Sequence, residues 1–169
     1  MKLKFIPLLA ALALGAAAAQ ATTTSLGTLG VSTVNNGGVA TSFGALISDN
    51  FTFSLSAASK VESNVTTFLG NINPGFYGIY TSGVDSLVGT ADDVLVVGHG
   101  FSSVSTAHYD NVAAGSYYFK VFGLSNANLS AYAISASAVA QPVPEPETYA
   151  LLAAGLGIVG FVARRRRDF

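Results

Sequence analysis

Between residues 22 and 141 the apolar positions fall mostly at every second residue, the period of a strand with one face turned to a core. In "FTFSLSA", Phe51, Phe53 and Leu55 share one face while Thr52 and Ser54 take the other. "KVESNVTTFL" sets Val61, Val65 and Leu69 together. In "SYYFKVFGL", Tyr117, Phe119 and Val121 alternate with Tyr118, Lys120 and Phe122. Both faces of that run are largely apolar, so the strand is expected to be central. "SAYAISASAV" puts Tyr132 and Ile134 on one face with small residues between, and shorter runs stand at "FYGIYT" and "VLVVG". Turn chemistry divides these runs at Asn35-Asn36-Gly37-Gly38, Asn73-Pro74-Gly75, Gly98 to Gly100 and Ala114-Gly115. Many short strands divided by such turns, with almost no helical period, predict an all-β domain over 22–141 built as an antiparallel β-sandwich.

Two segments break this pattern. "MKLKFIPLLAALALGAAAAQA" carries basic Lys2 and Lys4, an apolar run from Phe5 to Leu14, and small residues ending at Ala19-Gln20-Ala21. These are the three regions of a secretory signal peptide, so residues 1–21 are expected to direct Sec export and to be cut by signal peptidase after Ala21. A buried N-terminal helix is the alternative reading. At the other end the chain is apolar and small from Tyr149 to Ala163, and Arg164, Arg165, Arg166 and Arg167 follow at once. About fifteen helical residues span roughly 22 Å, against ~30 Å of bilayer hydrocarbon. With Thr148 and Tyr149 at one interface and snorkelling arginines at the other, a short transmembrane helix over 149–163 is expected. The arginines would act as a stop-transfer cluster in the cytoplasm, leaving the preceding domain outside. A helix packed into the core and a permanent anchor are the competing readings.

Charge changes the picture once the ends are set aside. The chain of 169 residues has a formal net charge of −1. That balance hides an acidic body and a basic tail. Between Thr22 and Gln141 the only cations are Lys60 and Lys120, against Asp49, Glu62, Asp85, Asp92, Asp93 and Asp110. Phosphate binding needs clustered Lys and Arg, so a nucleic-acid partner is not expected. There is no cysteine. A disulfide scaffold and zinc–thiolate chemistry are thereby excluded, and an ordinary apolar core must hold the domain.

The string Val143-Pro144-Glu145-Pro146, then Thr148, then an apolar helix with Gly155, Gly157 and Gly160, then terminal arginines, resembles a PEP-CTERM sorting signal over 142–169. The resemblance implies that Pro144, Glu145 and Pro146 are recognised by an exosortase and that the tail is removed near them. Exosortases are membrane-embedded, cysteine transpeptidase-like enzymes of Gram-negative bacteria that make exopolysaccharide, so the inner membrane would be a transient partner. The residues agree with that role: two prolines favour extended backbone that a protease-like site can grip. "ISDNFTFSLSAASKV" is similar to the FxDxF family of PEP-CTERM proteins, with Ile47, Asp49 and Phe51 in the motif positions and Ile replacing the first Phe. "AAGSYYFKVFG" followed by "AYAISASA" is similar to the last two strands of pre-peptidase C-terminal domains. Those are jelly-roll-like sandwiches, usually non-catalytic.

Candidate chemistry within the domain is sparse. Asp85, Asp92 and Asp93 share one glycine-containing loop and could hold Ca²⁺ through hard oxygen ligands. Their spacing is not that of an EF-hand, and solvated turn formation is the competing account. Asp49 is either a further ligand or a turn or capping residue at the start of its strand. His99 and His108, the two histidines, lack a partner at metal spacing. Serines abound, but no G-x-S-x-G elbow is present to argue for a Ser–His–Asp triad. Asn50, Asn64 and Asn128 begin N-x-S/T triplets, read as accidental in a bacterial setting. The sequence therefore predicts an exported, exosortase-sorted, non-catalytic surface or matrix protein with no cofactor, structural or adhesive in exopolysaccharide or biofilm. A calcium-dependent carbohydrate-binding module is the alternative, and a secreted enzyme the third reading.

Overall fold

The computed structural model describes residues 22–142 and the backbone of 146–165. The expected signal peptide with Ala19 and Ala21, the residues Pro144 and Glu145, and Arg166 and Arg167 lie outside the described residues. Nine strands precede one helix: β1 (Thr23–Thr28), β2 (Val34–Ala40), β3 (Leu46–Leu55), β4 (Ser59–Leu69), β5 (Ile72–Thr81), β6 (Val94–Phe101), β7 (His108–Val112), β8 (Gly115–Ser125), β9 (Ser130–Ala140) and α1 (Pro146–Arg165). They form a five-stranded sheet ordered β1-β3-β8-β5-β6 and a four-stranded sheet ordered β2-β9-β4-β7.

The alternating pattern meets itself between these sheets. Phe51, Phe53 and Leu55 of β3, Phe119 and Val121 of β8, and Tyr77 and Ile79 of β5 face Val61 and Val65 of β4 and Tyr132 and Ile134 of β9 in one buried cluster. Phe53 stacks on Phe119 with ring centroids 4.6 Å apart. β8 is central, as its two apolar faces require, with β3 on one side and β5 on the other.

Several expectations need correction. The sandwich is not wholly antiparallel, because β1 runs parallel to β3 along the edge of the larger sheet. Leu69 does not share the buried face of Val61 and Val65: the β4–β9 register shifts between Thr67 and Leu69, and Leu69 is exposed while Thr67 is buried. A bulge adds one residue and reverses the faces beyond it. Three glycine-bearing stretches read as turns are strand. Gly37 and Gly38 lie within β2, Gly75 within β5, and Gly98 and Gly100 within β6. A Cβ on Gly37 would sit 2.2 Å from the Tyr132 carbonyl oxygen, and one on Gly98 would sit 2.3 Å from the Phe76 ring. Glycine there serves close approach and not chain reversal. Ala114, by contrast, does lie between β7 and β8.

The expected apolar segment 149–163 is helical, inside α1, and exposed along its length from Tyr149 to Arg164. It is not packed into the core. Its expected role as a transmembrane helix needs correction as well: among the described residues no helix is long and apolar enough to cross a membrane. The apolar run is shorter than the helix that carries it: about fifteen of the 20 residues of α1 are apolar and cover roughly 22 Å of a ~30 Å slab.

Candidate functional site

The domain ends where the tail begins. β9 closes at Ala140, the Gln141 amide donates to the Ala58 carbonyl at 2.8 Å, and the Gln141 side-chain amide donates to Asn111 Oδ1 at 2.6 Å. Pro146 opens α1. Proline suits that first helical position, where its missing N–H would have no partner. The candidate recognition residues thus stand between a pinned strand end and a helix. Leu151, Leu152, Leu156, Ile158, Val159 and Phe161 of that helix are all exposed.

The acidic loop between β5 and β6 folds around its own carboxylates. Asp92 Oδ2 accepts from the Val84 amide at 2.8 Å, Asp85 Oδ1 from the Leu87 amide at 2.8 Å, and Asp93 Oδ2 from the Gly89 and Thr90 amides at 2.7 and 2.8 Å. The Thr90 hydroxyl donates to Asp92 Oδ1 at 2.7 Å. That bond and the Val84 amide hold the Asp92 carboxyl below its usual range. Tyr118 Oη donates to Asp93 at 2.5 Å; burial first, and this carboxylate second, push its phenol well above the ordinary value. Among the described residues no three acidic or histidine side chains are placed to hold a metal ion, and the carboxylates of Asp85, Asp92 and Asp93 accept from the loop's own N–H groups.

Asp49 stands inside β3 and not at its start. Its Oδ2 accepts from Tyr132 Oη at 2.6 Å, tying the two sheets together, and its Oδ1 accepts from the Thr22 hydroxyl. Burial, then Asp49, raise the Tyr132 phenol far above its ordinary value. Ile47 and Phe51, the other motif positions, are buried on the same strand. Among the N-x-S/T asparagines, Asn50 is buried and Asn64 donates to Ser105 Oγ at 2.5 Å.

The histidines, nine positions apart in sequence, meet in space. His99 lies on β6 and His108 opens β7, so each belongs to a different sheet. His99 Nε2 is 2.8 Å from Asp110 Oδ2. The two rings stack with centroids 3.9 Å apart. Tyr77 packs beside both, and its phenol oxygen shares a 3.2 Å hydrogen bond with the Ser63 hydroxyl on β4. Desolvation pushes the Tyr77 phenol up to about 12. Among the described residues no serine hydroxyl bonds either histidine, so a Ser–His–Asp arrangement is not assembled. Asp110 and Tyr77 went unnoticed as partners in the sequence, where only their period-two neighbours could have flagged them.

With this geometry in place, comparison with known proteins is informative at the tail. The PEP-CTERM protein-sorting motif matches residues 142–167. PEP-CTERM domains are exosortase substrates, and the motif implies export and membrane-associated sorting to the cell surface. No curated protein matches the chain. Among solved structures, the pre-peptidase C-terminal domain of collagenase from Bacillus anthracis is similar at 15% identity and TM-score 0.46, over 69% of this chain and 96% of that one. PliG from Aeromonas hydrophila, a periplasmic inhibitor of g-type lysozyme, is similar at 9% identity and TM-score 0.42, over 70% and 98%. The C-terminal CBM6 of LamC from Zobellia galactanivorans is similar at 13% identity and TM-score 0.33, over 63% and 99%. None of these three likenesses carries an argument about what this chain does.

Proposed function

We propose that this chain is an exported, non-catalytic protein of the cell surface or extracellular matrix, delivered through an exosortase that recognises Pro144-Glu145-Pro146 and releases the tail nearby. The observation that carries the reading is the sorting motif at 142–167, which begins one residue after the last pinned residue of the domain, Gln141. The exposed apolar helix that follows the motif supplies the surface that a membrane or a membrane enzyme would cover. Export by the Sec route with cleavage after Ala21, a Gram-negative host, FxDxF membership through Ile47, Asp49 and Phe51, and a structural or adhesive role in exopolysaccharide or biofilm complete the proposal. The non-catalytic part is supported by where the polar groups are engaged. His99, Asp110, Tyr77 and Ser63 join one sheet to the other, and the aspartates of the acidic loop hold that loop's backbone.

The test is the intact mass and C-terminal sequence of the protein from native cells, beside a Glu145→Ala variant. The reading expects a native product lacking both residues 1–21 and the arginine helix, with the variant keeping that helix. A full tail in both would overturn it.

A further inference from the structure

Ionisable side chains close the edge where β6 ends one sheet and β7 ends the other. His99 comes from β6, and His108 and Asp110 come from successive inward positions of β7. The His99–Asp110 contact is 2.8 Å. The imidazoles stack at 3.9 Å with 17° between their planes. From β5 the group facing them is Tyr77, its ring 5.5 Å from His99 and 6.1 Å from His108. From β4 it is Ser63, engaged with Tyr77; Glu62 on the same strand bonds Tyr109. One carboxylate therefore serves two imidazoles. The rings are nearly parallel, so their lone pairs run side by side and do not converge on one ion.

We propose that His99, His108 and Asp110 form a pH-operated clasp that fastens the β6 and β7 edges at neutral pH and releases them on acidification. With one proton in the cluster, Asp110 balances the charge and a neutral ring can stack on a charged one. A second proton sets two like charges face to face at stacking distance, with a single carboxylate to offset them. Burial, and then His99, already hold His108 below the ordinary histidine value. An opened edge would lift both effects and take up the extra proton, so opening grows as pH falls below about 6.5. Each strand is joined to its own sheet on one side only, β6 to β5 and β7 to β4. The edge can therefore part while β3, β8 and β5 stay paired.

Hydrogen exchange of the full chain tests this, read by NMR at about pH 7.5 and about pH 5 and corrected for intrinsic rates. The clasp predicts that amides of His108–Val112 lose at least about tenfold more protection on acidification than those of Phe51 and Phe119. His108→Phe, which keeps an aromatic ring but removes the second titrating group, should abolish that difference. Equal losses in both regions, or a His108→Phe variant as acid-sensitive as the parent, would overturn the proposal. Should the variant fail to fold, the imidazole resonances of the parent decide: coupled titration supports the clasp, and two independent titrations at the ordinary histidine value refute it.

Discussion

Replacing Tyr132 by Phe removes one oxygen and leaves the ring in place, so it isolates the bond that ties β9 to β3. Tyr132 is 1% exposed, and its hydroxyl lies 2.6 Å from Asp49 Oδ2. A hydrogen bond to a charged group contributes about 1.5–3 kcal/mol net. Asp49 is half-buried and keeps its bond from Thr22, so water can partly replace the lost donor and the cost should fall near the low end, about 1.5 kcal/mol. At roughly 4 °C per kcal/mol for a domain of this size, Tm should fall by about 6 °C. The chain contains no tryptophan, so urea unfolding is best followed by far-ultraviolet circular dichroism. Pairing the change with Asp49→Asn in a double-mutant cycle reports the coupling directly. A single-variant loss under about 0.5 kcal/mol, the size of an ordinary surface substitution, would refute the reasoning that this bond ties the sheets.

Two other perturbations test the interior. Gly37→Ala places a methyl 2.2 Å from a backbone oxygen of β9, which cannot swing aside, so we expect a loss of about 2 kcal/mol in urea unfolding; an unchanged midpoint would mean that β2 and β9 do not approach this closely. At alkaline pH, burial raises Tyr77 to about 12 and Tyr132 further. Unfolded tyrosines ionise near pH 10 while these two stay protonated, so their contribution is full below about pH 10 and falls by up to about 1.4 kcal/mol per pH unit for each above it. Tyr77→Phe should flatten that slope, and an identical slope in parent and variant would exclude Tyr77 as its source.

What the sequence made legible was whatever alternation alone controls. Phe51, Phe53 and Leu55 advertise a buried face because nothing interrupts their period, and Tyr132 with Ile134 does the same among small residues. β1, β2 and β7 escaped notice because they are edge strands built from "TTSLGT", "VNNGGVA" and "HYDNV", too polar to show a period. Gly37, Gly38 and Gly98 carry turn chemistry in any local reading. Only the ring or strand lying opposite explains them, and that neighbour is distant in sequence. The bulge before Leu69 is likewise set by pairing with β9. The tail was legible because its parts act in linear order. The stacking of His99 on His108 was not, because it depends on two strands ending different sheets.

The order of strands also dictates when the domain can exist. β8 and β9 come last in the chain, yet each runs through the middle of its sheet, β8 between β3 and β5 and β9 between β2 and β4. Before they are made, the remaining strands can pair only as β1 with β3, β5 with β6, and β4 with β7. Two-stranded ribbons of that kind are marginal in water. A chain emerging N-terminus first therefore stays loose through most of its length, and both sheets knit together within its last two strands. Assembly is thus timed to the appearance of the segment that follows β9, and a chain cut short of Gly115 yields three unjoined ribbons and not a smaller domain.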